Sequence, residues 1–205
     1  MKLAIYGPGG FGRELVQSAL EAVGPSGRVV FVSDDPADVG RIVCGLPVIG
    51  PDELDCPAVI AVGDPAVRRR IADRVNAGEL AAPTHRRGPD VVVGEGAVFC
   101  DFTVVTASAT IGRHFQCNIY SYVAHDCVIG DFVTFAPKVC CNGNVHIEDD
   151  VYVGTGAILR QGAASKPLRI GKGAVIGMGA VVTKDVPAGA TVIGNPARPM
   201  EPRPA

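Results

Sequence analysis

The sequence is short of the features that nucleic-acid-binding and membrane proteins need. It contains no tryptophan, its aromatic residues amount to 5%, and its formal net charge is −2. A nucleic-acid-binding surface needs clustered basic residues, and a platform for single strands needs stacking aromatics, so we expect no nucleic-acid partner. No run of about 18 apolar residues is present, so we expect no membrane-spanning helix and no membrane partner.

The cysteines match neither a disulfide framework nor a zinc ribbon. Their number, seven, is odd, and no two of them are spaced as Cys-x-x-Cys. The first residues are strand-like and show no signal-peptide pattern, so we expect a cytoplasmic protein with reduced thiols and no metal. Hydrophobic residues make up 47% and charged residues 20%, which predicts a folded chain with a sizeable core.

What the sequence does contain is a six-residue repeat in its C-terminal half. From Val93 onward every sixth residue is apolar, and the residue after it is often small, as in Ile129-Gly130. An insertion of five residues, 165–169, interrupts the repeat before it resumes at Ile170. The lead positions are Val93, Phe99, Val105, Ile111, Cys117, Val123, Ile129, Phe135, Cys141, Ile147, Val153, Leu159, Ile170, Ile176 and Val182.

This period predicts a triangular parallel β-helix in which each hexad is one short strand and one corner. Three hexads, or 18 residues, complete a turn, so residues n and n+18 lie above each other, about 4.8 Å apart. The lead side chains then form three columns that point into the axis. Cys117 and Cys141 occupy such positions, so we interpret them as small core residues rather than reactive thiols. A purely structural solenoid would show the same repeat.

The N-terminal segment predicts a Rossmann-like half domain. Strand-like residues 2–6 are followed by Gly7-Pro8-Gly9-Gly10-Phe11-Gly12, which matches G-x-G-x-x-G, and then by helical residues 13–22. The motif therefore has the strand–turn–helix context that it requires. Glycines in such a turn let a phosphate group approach backbone N–H groups.

Acidic residues follow the next strands of this domain. A second strand at residues 29–33 ends in Asp34-Asp35, about 22 residues after the last glycine, where an acidic group faces a ribose in dinucleotide-binding folds. A third strand at residues 58–62 ends at Gly63-Asp64 and leads into a helix at residues 65–76. Substrate contacts are therefore predicted at the ends of both strands.

The lengths of these segments predict a single-nucleotide site. We assign residues 1–82 to the nucleotide-sugar-binding domain, residues 83–92 to a linker, and residues 93–205 to the β-helix with a C-terminal tail. The first domain is about one mononucleotide half of a dinucleotide fold, so a nucleotide-diphosphate sugar fits better than NAD. The alternative is a nucleotide-like fold that has lost its ligand.

His125 is the strongest candidate for a catalytic base, because it stands next to the carboxylate of Asp126 and because a neutral imidazole suits proton abstraction near neutral pH. The 18-residue period places Gly143 one coil above it. A glycine there leaves open space and a backbone N–H that would bind an acyl carbonyl and the oxyanion formed on attack. A lone histidine in a core-rich repeat is nevertheless often structural.

The other histidines are expected to be solvated or at the surface. His85 lies in the predicted linker, and His114 and His146 lie at corner or outward positions. A zinc site with three histidines, as in γ-type carbonic anhydrases, is disfavoured because His114, His125 and His146 belong to different columns of the prism.

Taken together, these motifs resemble those of the sialic-acid O-acetyltransferase-like family, which includes N-acetyltransferases of nucleotide-linked 4-amino sugars. The resemblance covers nearly the whole chain, and the combination of motifs is specific to the family rather than to one substrate. Its markers are Gly7-Pro-Gly-Gly-Phe-Gly-Arg-Glu14, Asp34-Asp35, Ala61-Val-Gly-Asp64, His125-Asp-Cys-Val-Ile-Gly-Asp-Phe132, Cys141-Asn-Gly-Asn144 and Val192-Ile-Gly-Asn-Pro-Ala-Arg198.

The resemblance implies a left-handed β-helix, a homotrimer with acetyl-CoA as co-substrate in the groove between adjacent prisms, and a role in polysaccharide biosynthesis. It implies His125 as general base, oriented by Asp126, with Gly143 at the reacting end. The implied contacts to acetyl-CoA are Asn118, Thr134, Asn142, Gly143, Gly173 and Arg198. The implied contacts to the nucleotide sugar are Gly7, Gly9, Gly10, Phe11, Asp34, Asp35, Gly63 and Asp64.

The chain departs from the family pattern at three positions. Relatives often carry a histidine where this chain has Phe11, an acidic residue where it has Ala124, and a second histidine where it has Thr134. We therefore predict direct acetyl transfer to a nucleotide-linked amino sugar, with His125 as the only strong base candidate. The alternatives are O-acetylation of a free or sialic-type sugar and a non-catalytic trimeric protein that binds a nucleotide sugar.

Overall fold

The computed structural model describes residues 2–200, which form an α/β domain followed by a parallel β-helix. The elements of the first domain are β1 (Lys2–Tyr6), α1 (Gly10–Glu14), α2 (Val16–Val23), β2 (Arg28–Val32), β3 (Ile42–Val43), β4 (Leu46–Ile49), a 3₁₀ turn (Pro51–Glu53), β5 (Ala58–Ile60) and α3 (Pro65–Ala72). The sheet has the order β3-β4-β2-β1-β5, and only the β3–β4 pair is antiparallel. No helix in the described part of the chain is long and apolar enough to cross a membrane.

The glycine motif is a tight turn between β1 and α1. Gly7 has a φ of +107°, which favours glycine, and a β-carbon at Gly12 would collide with the Gly7 carbonyl oxygen. A β-carbon at Gly9 or Gly10 would meet only open space, so the backbone there is accessible to a ligand. The helix predicted after the motif is present but is divided at Leu15.

The hexapeptide repeat forms three sheets, one for each face of a triangular prism, in the predicted 18-residue register, and the strands are parallel except for the last one, Arg198–Pro199. Face 1 consists of Arg86–Arg87, Val104–Val105, Tyr122–Val123, Cys140–Cys141, Ile158–Leu159 and Val181–Val182. Face 2 consists of Val92–Val93, Thr110–Ile111, Val128–Ile129, Val145–Ile147 and Leu168–Ile170. Face 3 consists of Leu80–Ala81, Val98–Phe99, Gln116–Cys117, Thr134–Phe135, Tyr152–Val153, Val175–Ile176, Thr191–Ile193 and Arg198–Pro199.

The axis of the prism is filled by the lead side chains, as predicted. Cys117 and Cys141 are 0% exposed and belong to the same hydrophobic cluster as Phe99 and Phe135. Burial raises the pKa of the Cys117 thiol well above its usual range. The interpretation of these two cysteines as core residues is therefore confirmed.

The β-helix begins earlier than the sequence indicates. Residues 83–92, predicted to be a linker, instead belong to the first coil, because Arg86–Arg87 pairs with Val104–Val105 and Val92–Val93 pairs with Thr110–Ile111. The repeat is hidden there because its lead position is occupied by Arg87. As an end residue Arg87 caps the prism, with its guanidinium carbon 5.2 Å from the centre of the Phe99 ring.

The insertion is confirmed but is displaced by a few residues. Ile147 pairs with Ile170, five positions further along the chain than the repeat alone would give. Leu168–Ile170 is already a strand of face 2, so the extra residues lie just before it rather than at residues 165–169. They form a loop that is closed by reciprocal backbone hydrogen bonds between Ala163 and Lys166.

The N-terminal domain packs against face 3. The outward-facing side chains of Val98, Gln116 and Thr134 are at most 2% exposed. On one border of this contact, Arg69 of α3 forms an ion pair with Asp150 at 2.7 Å. An open α/β sheet binds its ligands at the carboxyl ends of its strands, here β1, β2 and β5. The domain that carries this edge is thus held against the prism.

Candidate active site

His125 and Asp126 form a hydrogen-bonded pair at the corner between faces 1 and 2. The Nδ1 atom of His125 lies 2.7 Å from Oδ2 of Asp126, and about half of each side chain is exposed. An ionised carboxylate only accepts hydrogen bonds, so this contact needs a proton on Nδ1, and in the neutral form of the ring Nε2 then has a free lone pair. The corner therefore presents one basic nitrogen to the outside of the prism.

Gly143 lies one coil above, against the imidazole ring. A β-carbon at this position would lie 2.5 Å from both Nε2 and Cε1 of His125, closer than real β-carbons approach other atoms. The Gly143 carbonyl accepts a hydrogen bond from Gly162, whereas its N–H donates to no backbone carbonyl within residues 2–200. Only glycine leaves room for the ring in this position.

The backbone around this pair is tied to the next coil. The Asn144 N–H donates to the His125 carbonyl oxygen at 3.0 Å, and the Cys127 thiol donates to the Asn142 carbonyl oxygen at 3.2 Å. The Asn142 side chain donates to the Leu159 carbonyl oxygen at 2.8 Å and accepts from the Tyr122 hydroxyl. Asn142 thus lies beside the candidate base, but its amide is already used within the prism.

A second group of predicted residues meets in a cleft of about 220 Å³ between the N-terminal domain and the prism. Phe11 and Gly63 come from the ligand edge of the α/β domain, and Asn118 and Thr134 come from the prism. Five further residues that sequence reasoning missed also line the cleft, namely Glu14, Gln116, Ala136, Pro137 and Tyr152. Residues of the predicted nucleotide-sugar domain and residues of the repeat thus face each other across this cleft.

The polar side chains of this cleft are held by neighbours. Asn118 donates to the Phe135 carbonyl oxygen at 2.7 Å. The Thr134 hydroxyl donates to the Gly63 carbonyl oxygen at 3.1 Å and accepts from Arg68 at 2.9 Å. Thr134 therefore joins the two domains in this structure, and its contact to acetyl-CoA stays a prediction.

Asp34 lies at the end of β2, as the motif predicts, but it is paired. It accepts hydrogen bonds from Arg74 at 3.1 Å and from the Tyr6 hydroxyl at 2.8 Å, and these contacts lower its pKa. Burial and the Asp34 carboxylate raise the pKa of Tyr6 to about 12. Asp34 is still half exposed at the sheet edge, so a ribose contact there stays a prediction.

The other two predicted carboxylates have local roles in the structure. Asp35 accepts a hydrogen bond from the Ala37 N–H at 2.9 Å. Asp64 is the N-cap of α3 and accepts from the Val67 N–H at 2.9 Å, a contact that satisfies a free donor of the helix. Their roles toward a substrate stay predictions.

Gly173 and Arg198 lie away from His125 in the single chain. Gly173 is in the corner between faces 2 and 3, where its φ is +65°. Arg198 lies on the short strand Arg198–Pro199, which closes the C-terminal end of face 3 against Thr191–Ile193. The structure therefore does not bring either residue together with the corner at His125.

Two expectations about the histidines are wrong. His114 is 3% exposed and stacks on Phe132, because the corner between faces 2 and 3 is covered by α3 and its neighbours. His85 is not a solvated linker residue but stacks on Phe99, with ring centres 4.3 Å apart, and burial lowers its pKa to about 4. Both rings cover apolar surface of the prism.

Several known proteins are similar to this chain in sequence and in structure. The family profile of the PglD N-terminal domain matches residues 2–75. The GDP-perosamine N-acetyltransferase of Escherichia coli O157:H7 is 43% identical, with 96% of this chain and 95% of the relative covered. The structure of WeeI from Acinetobacter baumannii AYE superimposes with a TM-score of 0.90 at 42% identity, covering 98% of this chain and 100% of the other.

A further solved structure contains ligands. PerB from Caulobacter crescentus in complex with CoA and GDP-perosamine superimposes with a TM-score of 0.84 at 26% identity, and 98% of each chain is covered. The extent of these matches, across both domains, agrees with the resemblance that the motifs indicate. The chain belongs to the nucleotide-amino-sugar N-acetyltransferase family, and it is an acyltransferase built on a left-handed parallel β-helix.

Proposed function

We propose that this protein transfers the acetyl group of acetyl-CoA to the amino group of a GDP-linked 4-amino sugar. The observation that carries the proposal is the corner at His125, where a base held by Asp126 faces the glycine backbone of the next coil. The GDP-linked acceptor is supported by the E. coli relative, named a GDP-perosamine N-acetyltransferase, and by the Caulobacter structure with CoA and GDP-perosamine.

The proposed reaction is a direct transfer. The neutral sugar amine attacks the thioester carbonyl carbon, and Nε2 of His125 takes the proton that the nitrogen loses as the C–N bond forms. The C–S bond then breaks, and the CoA thiolate leaves and takes up the proton from the imidazolium. The products are an amide and a free thiol. No covalent acyl-enzyme is needed, because the thioester is already activated.

Gly143 has the second role in this proposal. Its N–H donates to no backbone carbonyl within the described chain, so it can donate to the carbonyl oxygen of the thioester as negative charge develops there. A fixed backbone donor is already oriented before the reaction, so it loses no freedom as the oxyanion forms. Asp126 stabilises the imidazolium that His125 becomes, because the two groups are then oppositely charged.

A homotrimer is part of the proposal. His125 lies at the corner between faces 1 and 2, whereas the cleft lined by Phe11 and Asn118 lies at the corner between faces 3 and 1. One whole face separates them in the single chain. A sugar nucleotide bound in the cleft of one copy reaches a base most directly if a second copy supplies His125, and the outward side chain of Ile158 on face 1 is apolar and exposed.

The test is an acetylation assay with acetyl-CoA and a panel of GDP-, UDP-, dTDP- and CMP-linked 4-amino sugars, each paired with its 4-hydroxy counterpart. Release of the CoA thiol measures turnover, and the product mass identifies the acceptor. We expect turnover with a GDP-linked amine and none with its hydroxy counterpart. Turnover only with a hydroxyl, giving an ester that hydroxylamine cleaves, would contradict N-acetylation, and turnover only with another nucleotide would contradict GDP.

A further inference from the structure

Arg68 is a charged side chain buried between the two domains. It lies on α3 and is 1% exposed, and its two terminal nitrogens, which carry four hydrogens, lie within hydrogen-bond distance of five acceptors. These acceptors are the Val62 carbonyl at 2.7 Å, the Gly63 carbonyl at 3.2 Å, Gln116 Oε1 at 3.0 Å, the Phe132 carbonyl at 2.6 Å and Thr134 Oγ1 at 2.9 Å. Burial of a cation is costly, and all five of these acceptors are uncharged.

Gln116 and Thr134 complete this group, which we call the latch (Arg68, Gln116 and Thr134). Gln116 donates to the carbonyls of Ile60 and Val62 at 2.7 and 3.1 Å, and Thr134 donates to the carbonyl of Gly63 at 3.1 Å. All three side chains are at most 2% exposed. The latch thus fixes the end of β5 and the turn after it to face 3 of the prism.

The turn held by the latch is part of the ligand edge. A β-carbon on Gly7 would lie 3.2 Å from the Ala61 carbonyl oxygen, so the glycine-rich turn packs directly on this segment. Gly63 and Phe11 line the cleft together with Thr134. A shift of the turn after β5 would therefore move both loops that lie at the carboxyl ends of the strands.

We propose that Arg68 is a positioning residue that fixes the nucleotide-sugar site of the α/β domain on face 3 of its own prism, and through the prism relative to the acyl-transfer corner that the site works with. An apolar side chain would fill the same space without burying a charge, and such replacements are often neutral or stabilising. What an apolar side chain lacks is directional contact with five acceptors in two domains. This inference rests on the proposed function, since it assigns the acceptor to the α/β domain.

The test compares Arg68→Met with Arg70→Met, a substitution two residues away on the exposed side of the same helix. We expect Arg68→Met to raise KM for the GDP-linked amino sugar at least tenfold and to leave KM for acetyl-CoA within twofold. Arg68→Lys, which retains the charge and some of the contacts, should recover part of the effect. Equal sugar KM values for Arg68→Met and Arg70→Met, or equal rises in both KM values, would overturn the inference.

A second variant covers the case in which Arg68→Met does not fold. Gln116→Met removes the amide of the latch at similar side-chain length, and we expect it to raise the sugar KM several-fold without changing the acetyl-CoA KM. No change in the sugar KM would overturn the inference. If the wild type acetylates none of the sugars, the proposed function fails, and the inference is then decided by GDP affinity. Weaker GDP binding by Arg68→Met than by the wild type would support the inference. Equal GDP binding by the two proteins, or no GDP binding by the wild type, would overturn it.

Discussion

The imidazole of His125 lies so close to Gly143 that a β-carbon at position 143 would be 2.5 Å from Nε2. Gly143→Ala should therefore push the His125 ring away from the backbone of residue 143. We expect kcat to fall by about 10²-fold or more, because a base displaced by about 1 Å loses its alignment. Steady-state kinetics measure this, and the thermal midpoint serves as the control for folding. A variant with wild-type kcat would show that the ring position is not needed.

His125 itself is tested against a matched histidine. His125→Ala should lower kcat by about 10²–10⁴-fold, the usual contribution of a general base. His146→Ala is the control, because His146 is only partly exposed, lies in the middle of a strand of face 2, and has no role in the proposed reaction. A fall of less than tenfold for His125→Ala, or equal falls for both variants, would refute His125 as the base.

Most of this fold could be predicted from the repeat, because an apolar residue at each lead position indicates that the position is buried. Cys141 is a good example, since its column neighbours Val123 and Leu159 already identify it as a core residue. The proximity of His125 and Gly143 follows from the same period. The sequence motif also placed Asp34 at the end of β2.

The contacts between the two domains could not be predicted from the repeat or from the motifs. Arg68 stands in the run Arg68-Arg69-Arg70, which in a sequence is typical of a solvated helix face. Gln116 and Thr134 precede lead positions, where polar residues normally face water. All three are buried only because the α/β domain covers face 3, and no local sequence pattern indicates that the two domains pack together there. The expectation that His114 lies at the surface is wrong for the same reason, because residues of the α/β domain cover it.

The acid sensitivity of the fold should depend on His85. Its pKa is lowered to about 4 by burial, whereas a histidine in the unfolded chain has a pKa of about 6.5. Between these values the unfolded chain binds a proton that the folded protein does not, so stability falls as the pH is lowered through this window. His85→Phe keeps an aromatic ring on Phe99 and removes the titration. Thermal midpoints from pH 7 to pH 4 should fall less steeply in this variant, and identical slopes would contradict the assignment.

The role of Asp126 is best tested with asparagine. Asp126 has a φ of +58°, a left-handed conformation that asparagine tolerates better than most residues, so Asp126→Asn should fold normally. Its amide can donate to Nδ1, which favours the tautomer with the proton on Nε2, and Nε2 is then no longer a base. We expect kcat to fall by at least about 10²-fold, toward the loss seen when a base is held in the wrong tautomer, with an unchanged thermal midpoint. If kcat and its pH profile stay as in the wild type, Asp126 does not orient the imidazole, and the hydrogen bond between the two residues has no part in catalysis.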